Sequence, residues 1–169
     1  TDPLDRDYLR KLKALIERID PAVVSDHLCW TGVEGMNTHD LLPLPQTEGA
    51  LSHVIARTKM VQEALGRRIL LENVSRYVDF EHSTITEWEF ISEVVKESDC
   101  GILLDLNNVY VNAYNVGLDM KEYVDSIPKD RVAQFHLAGH SNHGDYCFDT
   151  HDGKVIEEVW NLYRYALSR

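Results

Sequence analysis

Four short apolar runs in this chain each end in an acidic or histidine side chain. The runs VVSDH, ILLEN, ILLDLNN and VAQFH carry, in chain order, His27, Glu72, Asp105 and His136. In a parallel α/β sheet, side chains at the carboxyl ends of the strands converge on one edge. Carboxylates and imidazoles together are ligands for iron, zinc or manganese. The pattern therefore predicts a metal-binding enzyme with its site at one edge of a parallel sheet.

Helical patterns alternate with these apolar runs along the chain. Apolar residues spaced by 3.6 residues predict helices over 8–19, 51–65, 84–97, 120–127 and 155–167. Strands are predicted over 22–24, 69–71, 102–104 and 132–135. This order indicates an α/β fold with a parallel sheet and outer helices, and four such units make half of an eightfold TIM barrel.

Local signals predict where helices start and how the elements connect. Gly66 is expected to end the second helix, and Thr84 and Glu87 have the spacing of a capping box. Glu87 is otherwise explained by the positive end of the helix dipole. Residues 31–47, which contain two glycines and two prolines, are predicted to form a long functional loop, and 105–117 a polar loop.

Composition and charge narrow the classes of function. The 169 residues are enough for one domain, and a net charge of -11 opposes binding to nucleic acid. The apolar runs are far shorter than the roughly 20 residues of a membrane span. Three separated cysteines do not describe a disulfide framework, which predicts a reducing, cytoplasmic location.

Glu72 and Asp105 carry most of the metal prediction. Each follows three apolar residues directly, so its charge would be buried at a strand end unless a cation or several donors compensate it. A lone His27 would more often be structural, but these neighbours favour a ligand. The alternative for Glu72 is a salt bridge to one of three nearby arginines: Arg67, Arg68 or Arg76.

Three further motifs follow the predicted strands. Strand spacing would place Asn107 on the face of Asp105, whereas a turn would bring Asn108 there, and both stay open. His136 is expected to bind the metal, and His140 to orient a ligand through its free ring nitrogen.

The third motif is Asp149-Thr150-His151. In extended backbone, residues two apart face the same way, so Asp149 and His151 can serve one metal or bridge two.

Motifs along the whole chain resemble the DUF692 family, also called UPF0276. They are HL at 27–28, DLLPLP at 40–45, ENV at 72–74, LLDLNNVYV at 103–111, HLAGH at 136–140 and DTHD at 149–152. The resemblance implies a xylose-isomerase-like TIM barrel of the multinuclear non-haem iron-dependent oxidative enzymes, the group of the methanobactin biosynthesis oxidase. It also implies two or three irons at the barrel mouth.

The resemblance implies a ligand set that agrees with the residues above. The implied ligands are His27, Glu72, Asp105, His136, Asp149 and His151, with Asn107 or Asn108 adjoining them. Asn73 and His140 are expected beside the ligands. The chain is expected to be a single domain over 1–169, the central four βα units of an incomplete barrel, without the outer units and their ligands. Such a piece would leave two sheet edges unpaired.

The leading functional hypothesis is an iron-dependent oxidase that uses O2 to modify cysteine in a peptide or small thiol, with a partner protein as a possible carrier of the peptide. A substrate thiolate would bind iron, and a hydrogen next to sulfur would be abstracted. The alternatives are a zinc, manganese or magnesium hydrolase or isomerase of the same superfamily, and a non-catalytic, metal-stabilised module that binds a peptide. Neither nucleic acid nor a membrane is expected as a partner.

Overall fold

The structure, a computed structural model, describes residues 2–169. A 3-10 turn at Lys129–Arg131 precedes the sixth strand. The helices and strands follow in chain order: α1 (Arg6–Ile19), β1 (Ser25–His27), β2 (Trp30–Val33), β3 (Met36–Leu42), α2 (Glu48–Leu65), β4 (Leu70–Glu72), α3 (Glu87–Ser98), β5 (Gly101–Asp105), α4 (Leu106–Val116), α5 (Met120–Ser126), β6 (Val132–His136), β7 (Ser141–Asn142), β8 (Cys147–Phe148) and α6 (Glu157–Leu167).

The described residues form a four-stranded parallel sheet in the order β1-β4-β5-β6, which confirms the predicted α/β class. The register places His27 opposite Glu72 and Asp105 opposite His136. The two central strands are buried throughout, as their continuous apolar sequences require. Parallel register brings these strand ends to one edge, as the sequence predicted.

The core lies between the sheet and the helices. Ile102 and Leu104 of β5 belong to the same buried cluster as Ile91 and Val95 of α3. Ile91 is fully buried, so its truncation to alanine is expected to cost about 3 kcal/mol. This packing makes the inner strands a rigid base for the side chains at their ends.

The prediction of a long loop over residues 31–47 was wrong, because β2 and β3 form an antiparallel hairpin there. Glu34 and Gly35 have φ of 52° and 77°, which is typical of a two-residue hairpin turn. A Cβ atom on Gly32 would lie 2.5 Å from the carbonyl oxygen of Met36, so the strands approach closely at this glycine. The glycines therefore support a hairpin rather than an irregular loop.

The polar loop predicted after Asp105 is helix α4 instead. The Asp105 carboxylate accepts a hydrogen bond from the backbone N–H of Asn108 and so caps the helix. Gly117, at φ 75°, ends it where the sequence predicted the end of the loop. Asparagine is a weak helix former, and burial of the polar side chains overrides that preference here.

Two boundaries also differ from the prediction. The capping box of α3 is formed by Thr86 and Glu89, two residues after the predicted pair Thr84 and Glu87. Both pairs have the same spacing, so the sequence could not choose between them. The first strand is Ser25–His27 rather than 22–24, because pairing with β4 and not apolar character defines it.

The described part of the chain contains no helix with the length and apolar character needed to cross a membrane.

Candidate metal centre

Three predicted ligands from adjacent strand ends meet in what we call the inner group: Glu72, Asp105 and His136. One ligand atom from each lies within 4.8 Å of the others. Nδ1 of His136 is 2.7 Å from Oε1 of Glu72 and 3.6 Å from Oδ2 of Asp105. These residues end β4, β5 and β6, so the backbone hydrogen bonds of the sheet fix their spacing.

His27 extends this group on the side of β1. Its Nε2 lies 3.3 Å from Oε2 of Glu72, so the Glu72 carboxylate stands between two imidazoles, those of His27 and His136. The Glu72 side chain is only 5% exposed, whereas His27 is 40% exposed. The inner group is therefore closed behind the carboxylates and open on the imidazole side.

Asp105 has one carboxylate oxygen that no donor within residues 2–169 pairs. Its Oδ1 accepts from the N–H of Asn108 at 2.8 Å, but its buried Oδ2 has no hydrogen-bond donor. Burial, together with the nearby carboxylates of Asp149 and Glu72, raises the pKa of Asp105 to about 6, against the lowering effect of the hydrogen bond from Asn108. An unpaired buried carboxylate oxygen beside a second carboxylate and an imidazole fits a divalent metal ion.

The proposed salt bridge from Glu72 to an arginine is wrong, since the three arginines near it bind other groups. Arg67 donates to two backbone carbonyls, and Arg68 pairs with Asp99. Arg76 pairs with Asp79 and Glu87. The ion pairs of Glu72 within residues 2–169 are those with His27 and His136.

Asp149 and His151 form a second cluster, the outer group. Nε2 of His151 lies 3.0 Å from Oδ1 of Asp149. The Asp149 carboxylate is partly buried, and burial raises its pKa, with the charge of Glu72 acting in the same direction. Because the charge of Glu72 raises the pKa of Asp149 and the charge of Asp149 raises that of Asp105, the inner and outer groups are electrostatically coupled.

Asn107 connects the outer group to helix α4. Its Nδ2 donates to Oδ1 of Asp149 at 2.7 Å, and its Oδ1 lies 2.8 Å from Nδ1 of His140. The His140 ring stacks on Tyr110 at 4.8 Å, and burial lowers its pKa, which favours the neutral imidazole. Asn107 contacts Asp149 directly, and His140 reaches Asp149 only through Asn107. The orienting role expected for His140 stays a prediction.

Asn73 and Asn108 stabilise the inner group from behind. Asn73 donates to the carbonyl oxygen of Asp105 at 2.9 Å and accepts from its N–H at 2.8 Å. Asn108 donates to the carbonyl of Asn73 at 2.9 Å, while its buried Oδ1 has no partner. Asn73 thus fixes the backbone of Asp105. The choice between Asn107 and Asn108 as a ligand stays a prediction.

Glu87 is the main polar residue that the sequence interpretation missed. Its side chain is 10% exposed and lies 3.2 Å from Arg76, with Tyr123 donating to it at 3.1 Å. Burial raises the pKa of Glu87, and Arg76 opposes that rise. The helix-dipole explanation of Glu87 was therefore incomplete. The sequence feature that came nearest to indicating its burial was Arg76, its partner in the segment after β4.

The cysteines do not contribute an activated thiolate. Burial and the charges of Asp26 and Asp40 raise the pKa of Cys29 to about 12. Cys100 and Cys147 are fully buried, and burial raises the pKa of each. Cys100 and Cys147 are thus small buried side chains, and Cys29 is half-buried.

Comparison with known proteins gives one consistent result. The family model described as "RiPP precursor modification enzyme MbnB/TglH/ChrH" matches residues 1–169. A UPF0276 protein of Anaeromyxobacter sp. (strain Fw109-5) is 54% identical over 169 residues, which are 100% of this chain and 60% of that protein. A UPF0276 protein of Acaryochloris marina is 51% identical over 168 residues, which are 99% of this chain and 61% of that protein.

A more distant relative is the UPF0276 protein VP3015 of Vibrio parahaemolyticus, 49% identical over 166 residues, which are 96% of this chain and 58% of that protein. The chain therefore spans about three fifths of the length of these curated relatives.

Proposed function

Because this chain belongs to the MbnB/TglH/ChrH family of RiPP precursor modification enzymes, we propose that it carries the metal ligands of an iron-dependent oxidase. The enzyme would oxidise cysteine in a ribosomally made peptide, with O2 as the electron acceptor. One observation carries the metal-dependent part of this proposal: the buried Oδ2 of Asp105 has no donor and faces the Glu72 and His136 side chains.

The ligand chemistry supports iron over a harder ion. Two carboxylates and several imidazoles suit ferrous iron and also zinc or manganese, whereas magnesium prefers oxygen ligands and water. When bound, iron would supply coordination positions for a soft thiolate and for O2, and a path for electrons between them. The ligands proposed for it are His27, Glu72, Asp105, His136, Asp149 and His151, with Asn107 or Asn108 beside them.

The protein residues would position and tune the reacting groups. Glu72 and Asp105 provide buried negative charge, while His27 and His136 leave an open side for a substrate. Asn107 and His140 would hold Asp149 in one orientation. Tight placement of ligands by neighbouring side chains commonly changes metal affinity by 10- to 100-fold.

We propose that the sheet is the central part of a (β/α)8 barrel in the longer protein. The parallel order and the convergence of polar side chains at the carboxyl ends support this interpretation. Within residues 2–169, β1 and β6 each pair on one side only, and both are more exposed than β4 and β5. Further strands would pair with these edges.

The substrate is proposed to be a cysteine residue of a peptide, and the family description supports the peptide part of this proposal. A small thiol or a peptide presented by a partner protein would use the same coordination chemistry. The net charge of -11 favours neither nucleic acid nor another polyanion as the substrate.

The test combines metal analysis with O2 consumption. Full-length protein prepared without oxygen should contain iron, and adding a cysteine-containing peptide with O2 should consume O2 and change the peptide mass. The same peptide with cysteine replaced by serine is the matched control. An iron-loaded protein that never consumes O2 contradicts the proposal.

The same preparation separates the alternatives. Zinc or manganese content with hydrolysis or isomerisation would support the second enzyme class. Tight peptide binding that survives Glu72→Ala and Asp105→Ala, without chemistry, would support a binding module.

A further inference from the structure

Helix α4 carries a row of asparagines, and two of them, Asn112 and Asn115, have no part in the proposed chemistry. Asn108, Asn112 and Asn115 are spaced i, i+4 and i+7, so they lie on one face of the helix. Asparagine lowers helix propensity, and Asn112 is fully buried. Buried amides are normally hydrogen-bonded, so their partners indicate what the row does.

The row binds the chain segment that follows β4. Asn108 donates to the carbonyl of Asn73 at 2.9 Å, and Asn112 donates to that of Val74 at 3.0 Å. Asn112 also accepts from the N–H of Arg76 at 2.6 Å. These side chains replace the strand pairing that the segment lacks, and they fix it along α4.

Asn115 differs because it binds the backbone of two chain segments at once, whereas the contact of Asn112 with a second segment is with the Glu87 side chain. Its Nδ2 donates to the carbonyl of Arg76 at 3.0 Å and to that of Cys147 at 2.9 Å. Its Oδ1 accepts from the N–H of Cys147 at 2.8 Å. The side-chain amide thus pairs with Cys147 as a neighbouring strand would.

This pairing matters because the short strand β8 leads directly into the outer group. β8 is two residues long and pairs with a two-residue partner, and an isolated hairpin of that size is marginal. Asp149 follows it, and its N–H donates to the hydroxyl of Tyr77 at 3.0 Å. The side chain of Asn115 bonds neither Asp149 nor His151, but it holds strand β8, which directly precedes both residues.

We propose that Asn115 is a positioning residue that sets the outer group, Asp149 and His151, against the inner group. The proposal rests on the proposed function, in that it takes the inner group and the outer group as the ligands of two separate iron ions. The Asn115 amide acts through its hydrogen bonds to the backbone of Cys147. Its hydrogen bond to the carbonyl of Arg76 fixes that backbone relative to the segment after β4.

The test uses Asn115→Ala in the full-length protein, with Asn112→Ala as the control from the same helix face. Anaerobic titration with Fe(II) should show about tenfold weaker binding of the ion held by Asp149 and His151. Binding of the ion held by the inner group should stay unchanged. A general loss of folding would weaken the binding of both ions together and would lower the melting temperature. That outcome would overturn the proposal.

Hydrogen exchange of the Cys147 amide gives a readout that needs no metal. Loss of the bond to Asn115 should accelerate exchange about tenfold in Asn115→Ala. Asn112→Ala should leave exchange of Cys147 near the wild-type rate while accelerating that of Arg76. Unchanged exchange at Cys147, or faster exchange with unchanged Fe(II) binding, overturns the proposal. A wild type that binds no Fe(II) refutes the proposed function, and exchange at Cys147 then decides this inference alone.

Discussion

The inner and outer groups of the site are held in place by different means. Glu72, Asp105 and His136 end adjacent parallel strands, so a continuous backbone ladder sets their spacing. Asp149 and His151 follow a two-residue strand and depend on side-chain amides and a tyrosine hydroxyl. The difference teaches that one candidate site can have one side fixed by the backbone of a sheet and another side fixed by single side chains.

Exposure follows the same division. Asp105 is fully buried, whereas the His151 side chain is 53% exposed. The buried inner group is expected to contribute most of the metal affinity. It is also expected to cause most of the loss of stability that comes from unpaired charge. The exposed side is expected to respond more strongly to the loss of a single supporting hydrogen bond. Four changes test that division, in order of decreasing expected effect.

Glu72→Gln should have the largest effect on the inner group. It removes the charge that lies between His27 and His136 while keeping the side-chain shape. We expect Fe(II) affinity to fall by about 1000-fold, beyond the range seen for residues around the ligands. Anaerobic Fe(II) titration measures the change, and Glu63→Gln on the exposed face of α2 is the control. Equal affinity in both variants would remove Glu72 from the ligand set.

Glu87→Gln tests the buried ion pair of Glu87 with Arg76, in the segment that follows β4. It leaves the buried guanidinium of Arg76 without its buried carboxylate partner, so unfolding free energy should fall by about 3 kcal/mol. Urea denaturation measures this loss. Glu93→Gln, which breaks a surface pair with Lys96, should change stability by less than about 1 kcal/mol. Similar losses in the two variants would contradict a special role for the buried pair.

Asp105→Asn should stabilise the metal-free protein while weakening metal binding. Burial raises the pKa of Asp105 to about 6, above the unfolded value of about 3.9. The ionised form is therefore penalised above pH 6, and this penalty disappears as the pH falls towards 4. At pH 7 the variant should gain about 2 kcal/mol, less where water screens the charge.

The pH dependence sharpens this prediction. Metal-free wild type should become more stable as the pH falls from 7 to 5. The stability of Asp105→Asn should rise less over the same range, because the variant has no carboxylate to protonate. Thermal unfolding in the presence of a chelator measures both proteins, with exposed Asp145→Asn as the control. A variant less stable than wild type at pH 7 would show that the carboxylate is not penalised.

His140→Ala should have the smallest effect and should act on the outer group. It removes the ring that lies 2.8 Å from Asn107, whose amide orients Asp149. We expect about tenfold weaker Fe(II) binding at Asp149 and His151. Fe(II) titration measures it, and His82→Ala, at an exposed loop position, is the control. Weaker binding at the inner group instead would contradict the division drawn here.

The sequence predicted the inner group better than its surroundings. Apolar runs that end in Glu72, Asp105 and His136 indicated parallel strands, and parallel strands must present their ends at one edge. The loop predictions over 31–47 and 105–117 were wrong because glycine and proline also occur in hairpins, and because burial overrides the low helix propensity of asparagine. Overlapping capping signals at Thr84 and Thr86 could not be separated by spacing alone.

By itself, the sequence determined the alternation of strands and helices and the chemistry at the strand ends, because periodicity and burial cost act locally. Only the tertiary structure decided that Glu87 is buried against Arg76 and that Asn115 joins Arg76 to Cys147. Those contacts join segments far apart in the chain, and a side-chain amide has no local signature of its distant partner. The backbone path of the sheet and α4 had to be in place before such hydrogen bonds could be assigned.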